Sequence, residues 1–241
     1  MSASRELTQK MICEAFEIKF PYVQMGKVDS LDLFNMNELE ILAFYEVNKS
    51  RYKRVSDIGA NLGLHSIFMA KQDWNVMAYE PDPAHYEHLL ANLVQTDGLV
   101  TPFKLAISNI DGQLKFRRVF DNLTASHLSG CKETYGSGEW ITVDVIHCLR
   151  ALEGIQFAKL DCEGAELSIL LTLDNGMMQN LDIMTEISNE INANLIYGHF
   201  SRIEVPMWSQ KNDWRQAESS NDLPKDSHDG NLFIGHEPPF K

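Results

Sequence analysis

The stretch VSDIGANLGLHS, residues 55–66, decides how the rest of the chain is read. It passes from a short apolar segment into a turn holding Gly59 and Gly63, with the acid Asp57 just ahead of the first glycine. A strand, a glycine turn and a helix in that order open an α/β sheet, where ligands gather at the carboxyl ends of the strands. A dinucleotide fingerprint needs G-x-G-x-x-G, so that a pyrophosphate can approach the backbone and rest on a helix N-terminus. Here only two glycines are present, four apart, and a carboxylate precedes them.

The rhythm around this turn extends the sheet. RVSDIG reads as a buried strand, LGLHSIFMAK as a helix and NVMAYE as a second strand. PDPAHYEHLLANLV follows, with Asp82 placed to cap, Pro83 at the first helical position, and Tyr86, Leu90, Leu93 and Val94 along one face. A third strand fits FKLAIS, residues 103–108. Alternating strands and helices predict a parallel sheet covered on both faces.

After Ser108 the alternation breaks: DGQLKFRRVF and EWITVDVI read as strands around an irregular polar segment, residues 121–138. Irregular stretches of that length are often functional. Order resumes with a strand at 155–161, a helix at 164–173, a strand at 181–188, a helix at 191–203 and a closing strand at NLFIG. Residues 1–53 are expected as a helical extension and 54–241 as the main domain, with an insertion at about 109–147. Residues 209–230 read as a lid or surface loop.

Composition bounds the function. The 241 residues carry a formal net charge of −13, from 21 Lys+Arg against 34 Asp+Glu. Binding a phosphate backbone depends on clustered Lys and Arg, so a nucleic-acid partner is not expected; KFRR, residues 115–118, reads as a solvated strand face. The four cysteines, Cys13, Cys131, Cys148 and Cys162, show no zinc spacing and are expected as reduced thiols. With no apolar run of spanning length and no secretory core, the chain reads as soluble and cytoplasmic.

A carboxylate facing the ligand repels phosphate and suits a cation. S-adenosylmethionine carries an ammonium and a sulfonium but no phosphate. Glu80, 23 residues after Asp57 at the end of the second strand, suits a bidentate acceptor for two ribose hydroxyls. Together, Asp57, Gly59, Gly63 and Glu80 favour the methyl donor over a nicotinamide dinucleotide.

DIGANLGLHS, AYEPDPAHYEHLLAN, KLAISNIDG and FAKLDCEGAELSILL resemble successive blocks of the FkbM family of methyltransferases, over about residues 55–188. The resemblance implies a Rossmann-like class I methyltransferase sheet of seven strands, mostly parallel with the last antiparallel and with helices on both faces, plus the β-rich insertion after the third strand. It implies S-adenosyl-L-methionine as donor and a hydroxyl acceptor on a sugar, glycan or natural product. Carried over residue by residue, Asp57, Gly59, Ala60, Asn61 and Gly63 surround the methionine part. Glu80 holds the ribose with Pro81 and Asp82 beside it, while Ala106 and Ser108 flank the adenine.

KLDCEGAE supplies the chemistry expected beside that site. Methyl transfer is an in-line displacement, and alignment alone can contribute on the order of 7–11 kcal/mol. A positioned base adds roughly 10²–10⁴-fold. Asp161 and Glu163 are the first candidates for it, with His127 third; Asp161 also borders the donor. A divalent metal on Asp161, Glu163 and Glu186 is a second route, and no spacing supports it. Glu166 reads as a helix-dipole partner and His65 as a helix-packing residue. Trp140, Trp208, Trp214, Tyr135 and Tyr197 are stacking faces or loop anchors. N- or C-methyl transfer, a nicotinamide dehydrogenase and a donor-binding scaffold without activity stand as alternatives.

Overall fold

The computed structural model describes residues 2–131, 136–226 and 228–240. In chain order its helices are α1 (Ser2–Ala15), α2 (Met36–Val47), α3 (Leu64–Ala70), α4 (Pro83–Asn92), α5 (Cys148–Ala151), α6 (Glu166–Leu170), α7 (Asn175–Met178) and α8 (Glu190–Arg202). The strands are β1 (Gln24–Met25), β2 (Val28–Asp29), β3 (Arg54–Ile58), β4 (Asn75–Tyr79), β5 (Val100–Phe103), β6 (Ala106–Ser108), β7 (Gly112–Val119), β8 (His127–Leu128), β9 (Gly138–His147), β10 (Phe157–Leu160), β11 (Asp182–Glu186), β12 (Met207–Ser209), β13 (Arg215–Gln216) and β14 (Asn231–Ile234).

The main sheet runs β13-β12-β14-β11-β10-β3-β4-β5. Five neighbouring strands, β11 to β5, are parallel, and β14 enters antiparallel between β11 and β12. The sheet therefore has eight strands, one more than the resemblance implies, because β13 folds back on β12 at the edge.

Strand periodicity sorts the core into two layers. Val55, Phe157, Met184 and Phe233 join α2, α3 and α4 on one face. Ile58, Ala158, Ile183 and Leu232 join α5 to α8 on the other. On α4 the buried residues are His85, Leu89 and Asn92, whereas Leu90 and Val94 are exposed; the helix is turned from the face expected from its apolar pattern.

Two boundaries differ from expectation. The third strand ends at Phe103, where its carbonyl accepts from the Glu80 N–H, and Ala106–Ser108 belongs instead to a second sheet, β6-β9-β7-β8. The segment before Arg54 is not wholly helical: the β1–β2 hairpin lies between α1 and α2. Ile41, Phe44 and Tyr45 of α2 are fully buried in the common core, so this helix is built into the body.

KFRR is not simply solvated. Arg118 donates from Nε to the buried Asp82 carboxylate at 2.7 Å and from Nη1 to Glu139 at 2.7 Å, tying the second sheet to the cap of α4. Arg117 lies over the Trp140 ring. The segment expected as a lid is anchored: Gln210 bonds Glu40 and Asn231, and Leu223 is fully buried. The four cysteines are free thiols. No helix among the described residues is long and apolar enough to cross a membrane.

Candidate active site

The opening turn is shaped by a chain crossing. Gly59 has φ +86°, and a Cβ there would overlap the Asp161 carbonyl oxygen, with the carbonyl carbon only 2.6 Å away. Gly63, at φ +88°, starts α3 against Leu89, whose Cδ1 would lie 2.6 Å from an added Cβ. Both glycines therefore let backbone or side chains come close, one where β3 meets β10 and one where α3 meets α4. The Gly59 and Ala60 N–H groups both donate to the Tyr79 carbonyl at 2.9 Å, which locks the turn to the end of β4.

Above this turn lies a cavity of about 570 Å³. One group of wall residues comes from the carboxyl ends of β3 and β4, from α4 and from β6: Gly59, Asn61, Glu80, Pro81, His85 and Ala106. Glu80 is 5% exposed; its Oε1 accepts from the Asp82 N–H and its Oε2 from the Asn61 N–H, both at 2.8 Å. Burial pushes its pKa up to about 8 against the pull of those two donors. Each carboxylate oxygen keeps a lone pair for a further donor. Asn61 Oδ1 and His85 Nε2 are buried with no partner. Burial pushes His85 below its ordinary value, so its ring is neutral and able to accept or donate once.

A second group gathers acids around the end of β10. Asp161 Oδ2 accepts from the buried Lys159 ammonium at 2.8 Å. Burial alone would push Lys159 down; Asp161, Glu38 and Asp57 outweigh it and hold the ammonium above its ordinary value. Glu163, at φ +55°, and Glu186 line the same wall. Burial, then the charges of Asp161 and Glu38, push Glu186 well above the usual carboxylate range.

The sequence candidates thus divide. Gly59, Asn61, Glu80, Pro81, Ala106, Asp161 and Glu163 line the cavity. Asp57 does not: at 1% exposure its carboxylate accepts from Ser66 Oγ at 2.5 Å, and it stands behind the turn rather than facing a ligand. Ala60, Gly63 and Ser108 also lie outside the lining; the first two are taken up by the turn, and Ser108 is buried in the second sheet. His127 is fully buried on β8, with Nδ1 bonded to the Ala125 carbonyl, and it too is absent from the wall. The insertion reaches the cavity instead through Asn122, Thr124, Ala125 and Ser126.

Trp208 is core, Trp214 bonds Glu40, Tyr197 bonds the Glu218 carbonyl, and Trp140 stacks under Arg117. These four rings act as anchors; Tyr135 lies outside the described residues. Glu166 accepts from the Cys162 and Gly164 N–H groups at 2.7 Å, a structural task at the loop it follows. Among the described residues no group of three or more His, Cys, Asp and Glu is arranged to hold a metal ion, so the route through Asp161, Glu163 and Glu186 has no ligand geometry behind it.

Several wall residues escaped the sequence reading. Glu38 is the principal one: its Oε2 lies 2.8 Å from His65 Nε2, and His65 Nδ1 lies 2.9 Å from the Tyr45 hydroxyl. Asn35 caps α2 and accepts from the Glu38 N–H, so N-x-x-E passes in sequence for an ordinary capping box, while the Glu38 carboxylate reaches His65. Asn37, His85, Asp226, His228 and Asn231 complete the walls.

A mostly parallel sheet with the antiparallel strand β14 slotted between β11 and β12, and an acid ending the second strand of the parallel set at the cavity, are the marks of a class I methyltransferase. Structural comparison supports this fold. The METTL16 MTase domain superposes with a TM-score of 0.51 over 98% of this chain and 80% of that one, at 14% identity. A delta-N METTL16 MTase domain gives 0.51 over 97% and 94%, also at 14% identity. More specifically, the methyltransferase FkbM domain matches residues 57–217, two-thirds of the chain, and the chain belongs to that S-adenosylmethionine-dependent family. Hexuronic acid methyltransferase AglP of Haloferax volcanii is 26% identical over 143 residues, 54% of this chain and 54% of the relative. The chain therefore spans about half the length of that curated relative.

Proposed function

We propose that the chain transfers a methyl group to a hydroxyl of an uncharged or amine-bearing sugar, glycan or natural product. The observation that carries this reading is the acidic and amide lining of the cavity. The lining includes Glu38, Glu163 and Asp226, the upshifted carboxyl of Glu186, and Asp32 and Asp161, which are paired with Arg5 and Lys159, together with the amides of Asn35, Asn37 and Asn231. Among the described residues no Lys or Arg lines the cavity, and the nearest buried cation, Lys159, is paired with Asp161. Carboxylates and amides accept from hydroxyls and ammonium groups, whereas an anionic acceptor meets like charge. The relative AglP is a hexuronic acid methyltransferase; this wall favours a sugar without the carboxylate.

On the donor side, Glu80 accepts from the ribose hydroxyls, and Asn61 Oδ1 and His85 Nε2 gain the partners they lack. S-adenosylmethionine supplies an electrophilic methyl group and leaves as a neutral thioether. Asp161 and Glu163 face the acceptor. The test is methyl transfer to a matched panel of methyl glucoside, methyl glucosaminide and methyl glucuronide, with oligosaccharides of each kind. The reading expects products from the neutral and amino sugars. Products from the uronate series alone contradict it.

A further inference from the structure

The segment before Arg54 precedes the matched FkbM domain, yet it contributes a wall of the cavity and the side chain best prepared to hold an acceptor hydroxyl. We propose that Glu38 is the catalytic group that receives the acceptor's proton, and that His65 and Tyr45 are positioning residues that hold it ready. The proposal rests on the O-methyl-transfer reading above.

Three side chains from two helices form a chain that ends in the cavity: Tyr45 of α2, His65 of α3 and Glu38 of α2. The Tyr45 hydroxyl is fully buried, and its hydrogen bond is to His65 Nδ1 at 2.9 Å. Burial, with the charges of Asp57, Glu38 and Asp161, holds its phenol well above the ordinary value, so the hydroxyl keeps its proton. With that hydroxyl donating to Nδ1, His65 carries its own proton on Nε2, which lies 2.8 Å from Glu38 Oε2, a buried oxygen with no other partner. The tautomer follows from the chain of donors, and the carboxylate is fixed by a ring that packs edge-on against Tyr45.

The other acids of the wall are less suited. Asp161 is spent on the Lys159 ammonium. Glu186 is pushed well above the usual carboxylate range by burial and by the charges of Asp161 and Glu38, whereas Glu38 is pulled below it: burial pushes it up, and His65 and Lys159 overcome that. Environments that push neighbouring acids in opposite directions mark different roles. The groups facing Glu38 are His65 on α3, Lys159 and Asp161 at the end of β10, and Glu186 on β11. In the step, the acceptor oxygen bonds to the methyl carbon as the sulfur–carbon bond breaks. The bonding pair leaves with sulfur, and the hydroxyl proton passes to the Glu38 carboxylate.

Two arms test this. In the first, wild type, Glu38→Gln, His65→Leu and Tyr45→Phe are compared on the acceptor that wild type methylates at oxygen, with S-adenosylhomocysteine affinity as the control for folding. Glu38→Gln is expected to lower kcat at least 100-fold with that affinity within threefold. His65→Leu is expected to move the acid limb of the pH–kcat profile upward, because the buried carboxylate loses the imidazole beside it. Tyr45→Phe is expected to move it in the same direction by less, because the ring stays but loses the hydroxyl that orients it. Formate added to Glu38→Ala is expected to restore part of the rate. A Glu38→Gln enzyme retaining a third of kcat overturns the proposal, as does an unmoved acid limb. In the second arm, nitrogen-15 NMR of wild type with S-adenosylhomocysteine bound reads the His65 tautomer without any acceptor. The Nε2-protonated form is expected, and an Nδ1-protonated ring overturns the arrangement. Failure of O-methyl transfer in wild type itself refutes the broader reading and is seen separately.

Discussion

Binding of the methyl donor should expel a proton from Glu80. In the ligand-free protein burial raises this carboxyl to about 8, so at pH 7 about nine-tenths of the molecules hold it protonated. Its two oxygens already accept from the Asn61 and Asp82 N–H groups, and ribose hydroxyls add two more donors to the ionised form. Donors to the charged form pull a carboxyl pKa down, and a drop below 6 leaves it ionised in the complex. Binding of S-adenosylhomocysteine then releases about 0.9 proton at pH 7, about half a proton at pH 8 and almost none at pH 9.5. Affinity weakens by a little under tenfold from pH 7 to pH 6, and the dependence fades below the pKa of the complex. Glu80→Gln removes the titration and a charge-assisted hydrogen bond of about 1.5–3 kcal/mol, a loss of roughly ten- to a hundredfold in affinity. Calorimetry in buffers of different ionisation enthalpy counts the protons directly. Fewer than 0.2 proton released by wild type at pH 7, or unchanged affinity in Glu80→Gln, refutes the assignment. The same titration links to stability. The folded pKa lies above the unfolded value, so Glu80's contribution is complete below the unfolded pKa and is lost as pH rises through about 8.

Other perturbations test the frame around the site. Gly59→Ala combines a left-handed backbone, about 1–2 kcal/mol, with a collision against Asp161; a total near 3 kcal/mol lowers Tm by roughly 6–12 °C, and a melt within 2 °C of wild type contradicts the crossing. Arg118→Met strands the fully buried Asp82 carboxylate and should cost about 3 kcal/mol in chemical denaturation, part of it recovered by adding Asp82→Asn, which keeps the α4 cap. Asp161→Asn and Glu163→Gln are each expected to lower turnover at least tenfold with donor binding retained. If both keep near-full turnover, neither faces the acceptor.

The sheet was legible because its signals are local. Val55 to Ile58 and Phe157 to Leu160 are continuous apolar or buried runs, and Asp82 with Pro83 announces α4. Glu80 was legible from its place at a strand end. What escaped was set by three-dimensional partners. Asp57 reads as a ligand-facing acid until Ser66 is seen nine residues on, sharing its hydrogen bond. His127 reads as an exposed loop base, but β8 buries it by pairing with Arg117. Glu38 lies 27 residues before His65 in a segment with no sheet signal, and only the packing of α2 on α3 joins them. The role of Arg118 was hidden in the same way, since its partner belongs to another sheet's helix cap.

The central claim is that this cavity places a methyl donor against a hydroxyl. The direct measurement is incubation of the protein with methyl-labelled S-adenosylmethionine and fractionated polysaccharide from its host, followed by hydrolysis and mass spectrometry of the labelled product. The account predicts label on a sugar oxygen, recovered as an O-methyl monosaccharide that lacks a carboxylate. Label found in protein or nucleic acid, with none in carbohydrate or any other hydroxyl compound, contradicts it.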